Sequence, residues 1–367
     1  MRVLFILLFS LSLFNCEAQQ KTVRLAVAGI SHGHHGWILG RANDKEIELV
    51  GIYEPVAALR EKAIRNFKLD PKLFYSDLSK MLAEVRPDGL CAFGATNEHL
   101  EVVRQAAPKG IPVMVEKPLA TTVKDANEIA ALSKRYNVPV LTNFETSWYP
   151  TTDKTYELTR DTSFMGKIRK VVIHDGHEGP KEIGVSDEFF EWLTDPVKNG
   201  GGALTDFGCY GANLMTYLMN GQAPISVTAV TQQFKPHIYP KVDDEATIVL
   251  TYPTAQAIIQ ASWNWPYSRK DMAVYGEHGY AITTDHKKME IKSGKEAKKL
   301  LELEPKETGT YTSPFNYFAD VIMKKIAVPK YGLYSLENNL MVVQILEAAR
   351  KSAQTGKSVQ LAADLKQ

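Results

Sequence analysis

Residues 23–37 read Val23-Arg24-Leu25-Ala26-Val27-Ala28-Gly29-Ile30-Ser31-His32-Gly33-His34-His35-Gly36-Trp37. An apolar strand runs into a glycine-rich turn, and Trp37 is expected to open a helix. Strand, glycine turn and helix form the entry to a dinucleotide-binding fold, because a turn without bulky side chains lets backbone amides approach a pyrophosphate at the helix N-terminus. The spacing is irregular: Gly29, Gly33 and Gly36 give G-x-x-x-G-x-x-G, with Ser31 where the standard motif has its second Gly. Gly29, Ser31, His32 and Gly33 are the loop positions expected to meet the cofactor. The next strand, Ile47 to Tyr53, ends at Glu54. A carboxylate there accepts both ribose hydroxyls of an adenosine and repels the extra phosphate of NADP, so NAD is expected and NADP disfavoured.

The alternation continues outward. Asp77 to Glu84 reads as a helix and Gly89 to Phe93 as a strand. Ala95-Thr96-Asn97-Glu98-His99 leads into another helix. Val113 to Val115 is a buried strand that ends at Glu116-Lys117-Pro118, which places an amine at a strand tip. Thr122 to Asp125 resembles a capping box for a helix reaching Tyr136, and Val138 to Phe144 is the next strand. Strands alternating with helices imply a parallel sheet covered on both faces, an α/β Rossmann domain over residues 21–146. Beyond Tyr149 the pattern changes. Lys167 to His174, Ser226 to Gln233, Ala246 to Tyr252 and Ala257 to Trp263 are strand-like with little helix between, so residues 147–367 are expected to form an α+β domain with a largely antiparallel sheet. One helical element interrupts it, Gly200-Gly201-Gly202-Ala203-Leu204-Thr205-Asp206-Phe207-Gly208-Cys209-Tyr210. A helix there puts Asp206 and Tyr210 a turn apart on one face. Capping by Asp206 and packing by Tyr210 explain the pair equally well, whereas three consecutive glycines indicate close backbone approach.

Composition narrows the function. The 367 residues carry a net charge of +1 with Lys and Arg scattered, which argues against nucleic acid or an anionic membrane as partner. Residues 1–19 read as a secretory signal: Arg2, an apolar core from Val3 to Phe14, and small residues at Cys16 and Ala18. Leu13-Phe14-Asn15-Cys16 also resembles a lipoprotein box, in which Cys16 would carry the lipid. The expected location is the periplasm, soluble or lipid-anchored. Cys91 and Cys209 fall in different elements and make no disulfide framework. His32, His34 and His35 invite a metal reading, but their i, i+2, i+3 spacing is not that of a helical zinc pair. No metal is expected, and the histidines are read as lining the cofactor or substrate.

Taken together, Asn97-x-His99, Glu116-Lys117-Pro118, Gly200 to Asn213, and Glu347-Ala348-Ala349-Arg350-Lys351-Ser352-Ala353 with Thr355-Gly356-Lys357 resemble the Gfo/Idh/MocA family over nearly all the mature chain. The resemblance implies redox chemistry on sugars or polyols and a homo-oligomer formed through the C-terminal sheet. It implies cofactor contacts from Thr96, Asn97, His99 and Glu116, catalysis by Lys117, and substrate orientation by Asp206. Tyr210 falls where many members have His, as in the glucose-fructose oxidoreductase branch. Asn143 to Trp148 departs from the family pattern, which often has an Arg there. Oxidising an alcohol needs a base. Tyr210 is expected to serve, its phenol lowered by the Lys117 ammonium, with Asp206 anchoring a hydroxyl and His177 and Trp263 facing the small-molecule sugar or glycoside. Free NAD is scarce outside the cytoplasm, so three readings stand. The protein recycles a tightly held NAD between two sugars, or works as an NAD-dependent glycosidase by oxidation and elimination, or is a sugar-binding protein with a relic site.

Overall fold

The computed structural model describes residues 22–41 and 45–361; the expected signal segment and Cys16 lie outside them. Among the described residues, no helix is long and apolar enough to cross a membrane.

The first sheet contains β1 (Val23–Ala28), β2 (Ile47–Tyr53), β3 (Phe74–Tyr75), β4 (Gly89–Ala92), β5 (Val113–Glu116) and β6 (Val140–Asn143). Its order is β3-β2-β1-β4-β5-β6, and every pairing is parallel. The order of strand succession reverses between β1 and β4, the point where a doubly wound sheet opens a ligand crevice. β1 shows why the strands hold their places. Val23, Leu25 and Val27 pack into one face cluster, while Ala26 and Ala28 pack into the other. The helix Val123–Tyr136 is capped as expected, with the Thr122 hydroxyl accepting from the Asp125 amide at 3.1 Å.

The helix after the glycine loop departs from expectation. A 3₁₀ turn at Gly33–His35 leads into Gly36–Leu39, a single turn in which Trp37 is the second residue. Gly36 and Gly40 bracket it, and glycine is among the poorest helix formers. Such a short helix adds little dipole to an anion site, which leaves that task to the loop amides. The same sheet face is covered partly from the other end of the chain. Phe315, Phe318, Ala319 and Val321, on the helix Pro314–Ile322, join the cluster formed by β1 and its neighbours. A Cβ on Gly89 would sit 2.6 Å from the Ile322 side chain, so this helix rests directly on the strand ends.

The second sheet has nine strands: β7 (Ile168–Gly176), β8 (Ser226–Gln232), β9 (Glu245–Thr251), β10 (Gln256–Ser262), β11 (Arg269–Gly276), β12 (Gly279–Thr283), β13 (Lys288–Ser293), β14 (Lys299–Glu302) and β15 (Val359–Gln360). β7 and β10 pair in parallel and all other pairings are antiparallel. The inward-facing residues of the central strands pack with the helix Gly208–Leu218, in which every residue but Tyr217 is buried. The triple glycine does bring backbones together. A Cβ on Gly202 would meet the Asp243 carbonyl oxygen at 1.8 Å, and the Asp243 carboxylate accepts from the Gly202 and Leu204 amides.

Candidate active site

Lys117 leaves the end of β5 and reaches Asp206, 89 residues later in the chain. The two are 7% and 4% exposed and form a very short ion pair, to which the Asp206 carbonyl adds a second contact from the ammonium at 3.1 Å. The other carboxylate oxygen accepts from the Trp263 indole Nε1 at 2.9 Å. Burial alone would lower the Lys117 ammonium, but Asp206 outweighs it and holds the group above its ordinary value. Burial would likewise raise the Asp206 carboxyl, yet Lys117 keeps it below the usual range. Each oxygen of Asp206 therefore already has one partner, and the buried carboxylate serves first as the counter-ion of Lys117. Trp263 is 0% exposed. It is a core residue that fixes Asp206, not a face for a sugar ring.

Tyr210 lies beside this pair, but not as expected. The Lys117 ammonium sits 5.4 Å from the ring centroid, where it interacts with the π face. Burial pushes the phenol well above its ordinary value. The expected lowering by Lys117 does not occur, because Asp206 neutralises the ammonium and desolvation penalises a phenolate. Phe144 packs edge-on against the Tyr210 ring at 5.3 Å.

A second ion pair is invisible in the sequence. Lys270 on β11 bonds Glu145, just past β6, at 2.8 Å, and its ammonium is 5.5 Å from the Tyr210 centroid. Glu145 also accepts from the Tyr149 hydroxyl at 2.6 Å. Glu145 falls within the stretch that departs from the family pattern, which is the one available signal. Lys270 has none. His177 stands at the edge of the cluster, edge-on to Phe207 at 4.9 Å. Its Nδ1 accepts from the Gly179 amide at 2.9 Å, so the neutral ring carries its proton on Nε2 and can donate to a substrate oxygen.

The remaining expected residues have varied surroundings. Gly29 adopts φ +76°, and a Cβ there would lie 2.8 Å from the Gly94 backbone. Glu54 is buried at the end of β2, where its oxygens accept from the Ile30 amide at 3.1 Å and the Val56 amide at 2.9 Å. Each oxygen retains a lone pair for a ribose hydroxyl. Ser31 is half-buried in this loop and Gly33 is exposed. A groove of about 410 Å³ runs along the loop past Ile30, Gly33, His34 and His35. The glycine turn, the Glu54 carboxylate and the groove together fit a dinucleotide. Asn97 is exposed beyond β4, whereas the Thr96 hydroxyl is buried against Asn199 at 3.2 Å. His99 donates from Nδ1 to the Leu119 carbonyl at 3.2 Å and braces the Lys117 loop from behind. Glu116 accepts from Asn143 at 2.8 Å and from His34 Nδ1 at 3.1 Å. The side chains of Thr96 and Glu116 are thus bonded within the protein, while His99 keeps an unpartnered Nε2.

His32, His34 and Glu116 bring their ligating atoms within 4.8 Å of one another. Sequence spacing could not reveal this, since Glu116 comes from another strand. Here the Nδ1 of His32 accepts from the His34 amide at 3.1 Å, and the Nδ1 of His34 faces Glu116. His34 stacks on Trp37 at 3.6 Å, and burial pushes it down to about 3, so its ring is neutral. His32 packs on Phe189 at 4.5 Å. The cluster is a hydrogen-bonded wall next to Lys117. A cleft of about 910 Å³, lined by Thr121, Gly200, Asp243 and Arg350, contains none of Lys117, Asp206 or Tyr210.

A family model described as an oxidoreductase family with an NAD-binding Rossmann fold matches residues 23–144. A second, the GFO/IDH/MocA C-terminal domain, matches residues 160–282. The chain belongs to the Gfo/Idh/MocA family. It is 23% identical over 215 residues to the rhizopine catabolism protein MocA of Rhizobium meliloti, covering 57% of this chain and 61% of that protein. The matched stretch is thus about three-fifths of that relative. The fold is shared with an aldose-aldose oxidoreductase from Caulobacter crescentus solved with glycerol, at TM-score 0.76 and 19% identity over 93% of this chain and 100% of that one. It is also shared with an inositol dehydrogenase homolog from Azotobacter vinelandii solved with NAD+, at TM-score 0.80 and 17% identity over 94% and 98%. Residues 23–144 of this Gfo/Idh/MocA member form the NAD-binding domain, and Glu54 gives a test of its preference. NAD should bind apo-protein more tightly than NADP by on the order of tenfold or more, because a phosphate beside a buried carboxylate is repelled. Calorimetry with both oxidised cofactors measures this, and equal or tighter NADP binding would remove Glu54 from the assignment.

Proposed function

We propose that the protein is exported and interconverts hydroxyl and keto groups of a sugar or glycoside, with an NAD retained between half-reactions. The observation that carries this reading is the buried Lys117–Asp206 pair beside Tyr210. When bound, NAD supplies the hydride acceptor and donor. Moving the alcohol proton is the protein's task. Lys117 keeps the proton between half-reactions: as an ammonium it gives the proton to the oxygen of the sugar being reduced, and as the amine so formed it takes the proton from the alcohol being oxidised. The Trp263 indole steadies Asp206 in either state, because Nε1 donates to the oxygen that Lys117 does not touch. Tyr210 enters as a phenol and donates a hydrogen bond to the substrate oxygen. His177 offers Nε2 to a neighbouring hydroxyl. The two ammonium groups near Tyr210 are each neutralised by a carboxylate, so the site is suited to a neutral sugar.

Export rests on residues 1–19. Retention of NAD follows from it, because a freely exchanging cofactor would halt the cycle after one turnover outside the cytoplasm. Oxidising one sugar and reducing another leaves the cofactor unchanged. A homo-oligomer through the C-terminal sheet is also proposed, since Val230 on β8 and Tyr275 on β11 point outward and are exposed.

The test is incubation with glycosides and free sugars in deuterated water, without added cofactor. Exchange between sugars should give keto-sugar or lactone with no deuterium at the carbon beside the oxidised one. The elimination route of an NAD-dependent glycosidase enolises that carbon, so aglycone release with ring deuteration would overturn the present reading. Sugar binding with neither turnover nor bound nucleotide would establish the relic-site binder.

A further inference from the structure

The Lys117, Asp206 and Tyr210 side chains are almost closed to solvent. Parting the two halves of the molecule would open them to a substrate. The Lys270–Glu145 ion pair spans those halves: Glu145 follows the last strand of the first sheet, and Lys270 belongs to the second. Breaking it strands an ammonium over the Tyr210 ring.

Asp175 lies opposite Lys270 in the β7–β11 register. Val171, Ile173 and Asp175 share the inner face of β7, and Met272 and Val274 share that face of β11 with Lys270. Directly opposite residues of an antiparallel pair have Cβ atoms about 4.5–5.5 Å apart. Asp175 is 0% exposed, and neither of its oxygens has a hydrogen-bond partner. Such a group is costly and rare in a folded protein. The charged and titratable groups acting on it, or acted on by it, are Lys270, Asp271 and Arg269 from β11, Glu145 and Tyr149 from the segment after β6, Lys117 from β5, and Cys209 from the inner helix. Burial outweighs the cations and holds the Asp175 carboxyl well above its usual range, in keeping with two oxygens that receive no hydrogen bond.

We propose that Asp175 is a second station for the Lys270 ammonium. With the halves closed, Lys270 bonds Glu145 and Asp175 keeps its proton. As the halves part, Lys270 turns to Asp175, which releases that proton to solvent and pairs with it inside the second sheet. The half-buried ammonium then has a counter-ion in both arrangements. One proton leaves on opening and returns on closing, so higher pH favours the open arrangement. The purpose given to this latch rests on the site proposed above, but its existence is read by titration and not by turnover.

The test uses the full-length protein labelled with 13C at the aspartate carboxyls, followed by NMR as a function of pH. A resonance absent from Asp175→Asn should titrate above the ordinary aspartate range. Glu145→Gln frees Lys270 and removes a repelling charge, so the midpoint of that resonance should fall by about 1–3 pH units. Lys270→Met should raise it. Both of these variants keep Asp175, so the result does not depend on Asp175→Asn folding. If no aspartate resonance responds to Glu145→Gln and Lys270→Met in opposite directions, the two-station proposal is overturned.

Discussion

Replacing Lys117 with Met should lower hydride transfer by about 10²–10⁴-fold, the range typical of a lost proton-transfer group. NAD affinity should stay within a few-fold, because the Lys117 ammonium is turned to Asp206, Phe207 and Tyr210 and makes no bond to Glu54. The shape of the effect matters as much as its size. Met fills a similar volume, so the pocket remains packed while the amine is lost. The measurement is reduced-nicotinamide absorbance in a single turnover with the best sugar from a panel, paired with NAD calorimetry on the same variant. A variant that keeps most of the wild-type rate would move the proton-handling role elsewhere.

Asp206→Asn should destabilise the fold by about 3–5 kcal/mol, since it leaves the buried Lys117 ammonium without a counter-charge. Urea denaturation at neutral pH reads this directly. The dependence on pH follows from the two shifts. Lys117 is held above its ordinary value, so its contribution persists through neutrality and is lost only as pH rises through the folded value. Asp206 is held below the usual carboxylate range, so its contribution persists above that range and is lost as pH falls through the folded value. The gap between wild type and variant should therefore be flat across neutral pH and narrow at either extreme. The rate profile should move as well. Without Asp206, burial dominates and drags the Lys117 ammonium down, so the limb belonging to Lys117 should appear at lower pH than in the wild type. A stability gap near zero at neutral pH would mean that the pair is not the anchor of the site.

The first half of the chain is largely legible from its residues alone. Its strands alternate with helices in short, locally readable segments, and each of β1, β2, β4, β5 and β6 falls within or beside the apolar run that marks it. Thr122 caps its helix for a reason contained in four residues. The glycine loop is readable only in part. Its turn at Gly29 is plain, but the helix behind it stops after one turn, and the face it leaves open is covered by Phe315 and Phe318 from nearly 300 residues further on. No local pattern carries that information.

The sequence by itself singled out the residues proposed to carry the chemistry: Lys117 at a strand tip, Asp206 and Tyr210 after a triple glycine, and Glu54 at the end of the second strand. It did so because strand ends, turns and helix starts are set by neighbours along the chain. Only the tertiary structure decided what those groups do. It gave the two oxygens of Asp206 their partners in Lys117 and Trp263, turned Trp263 from a sugar platform into a core prop, and joined Lys270 to Glu145 across 125 residues. It also kept Tyr210 a phenol where proximity to an ammonium suggested a phenolate. A protonation state depends on how much water is excluded and which charge stands nearest, and both are properties of packing between segments far apart in the chain.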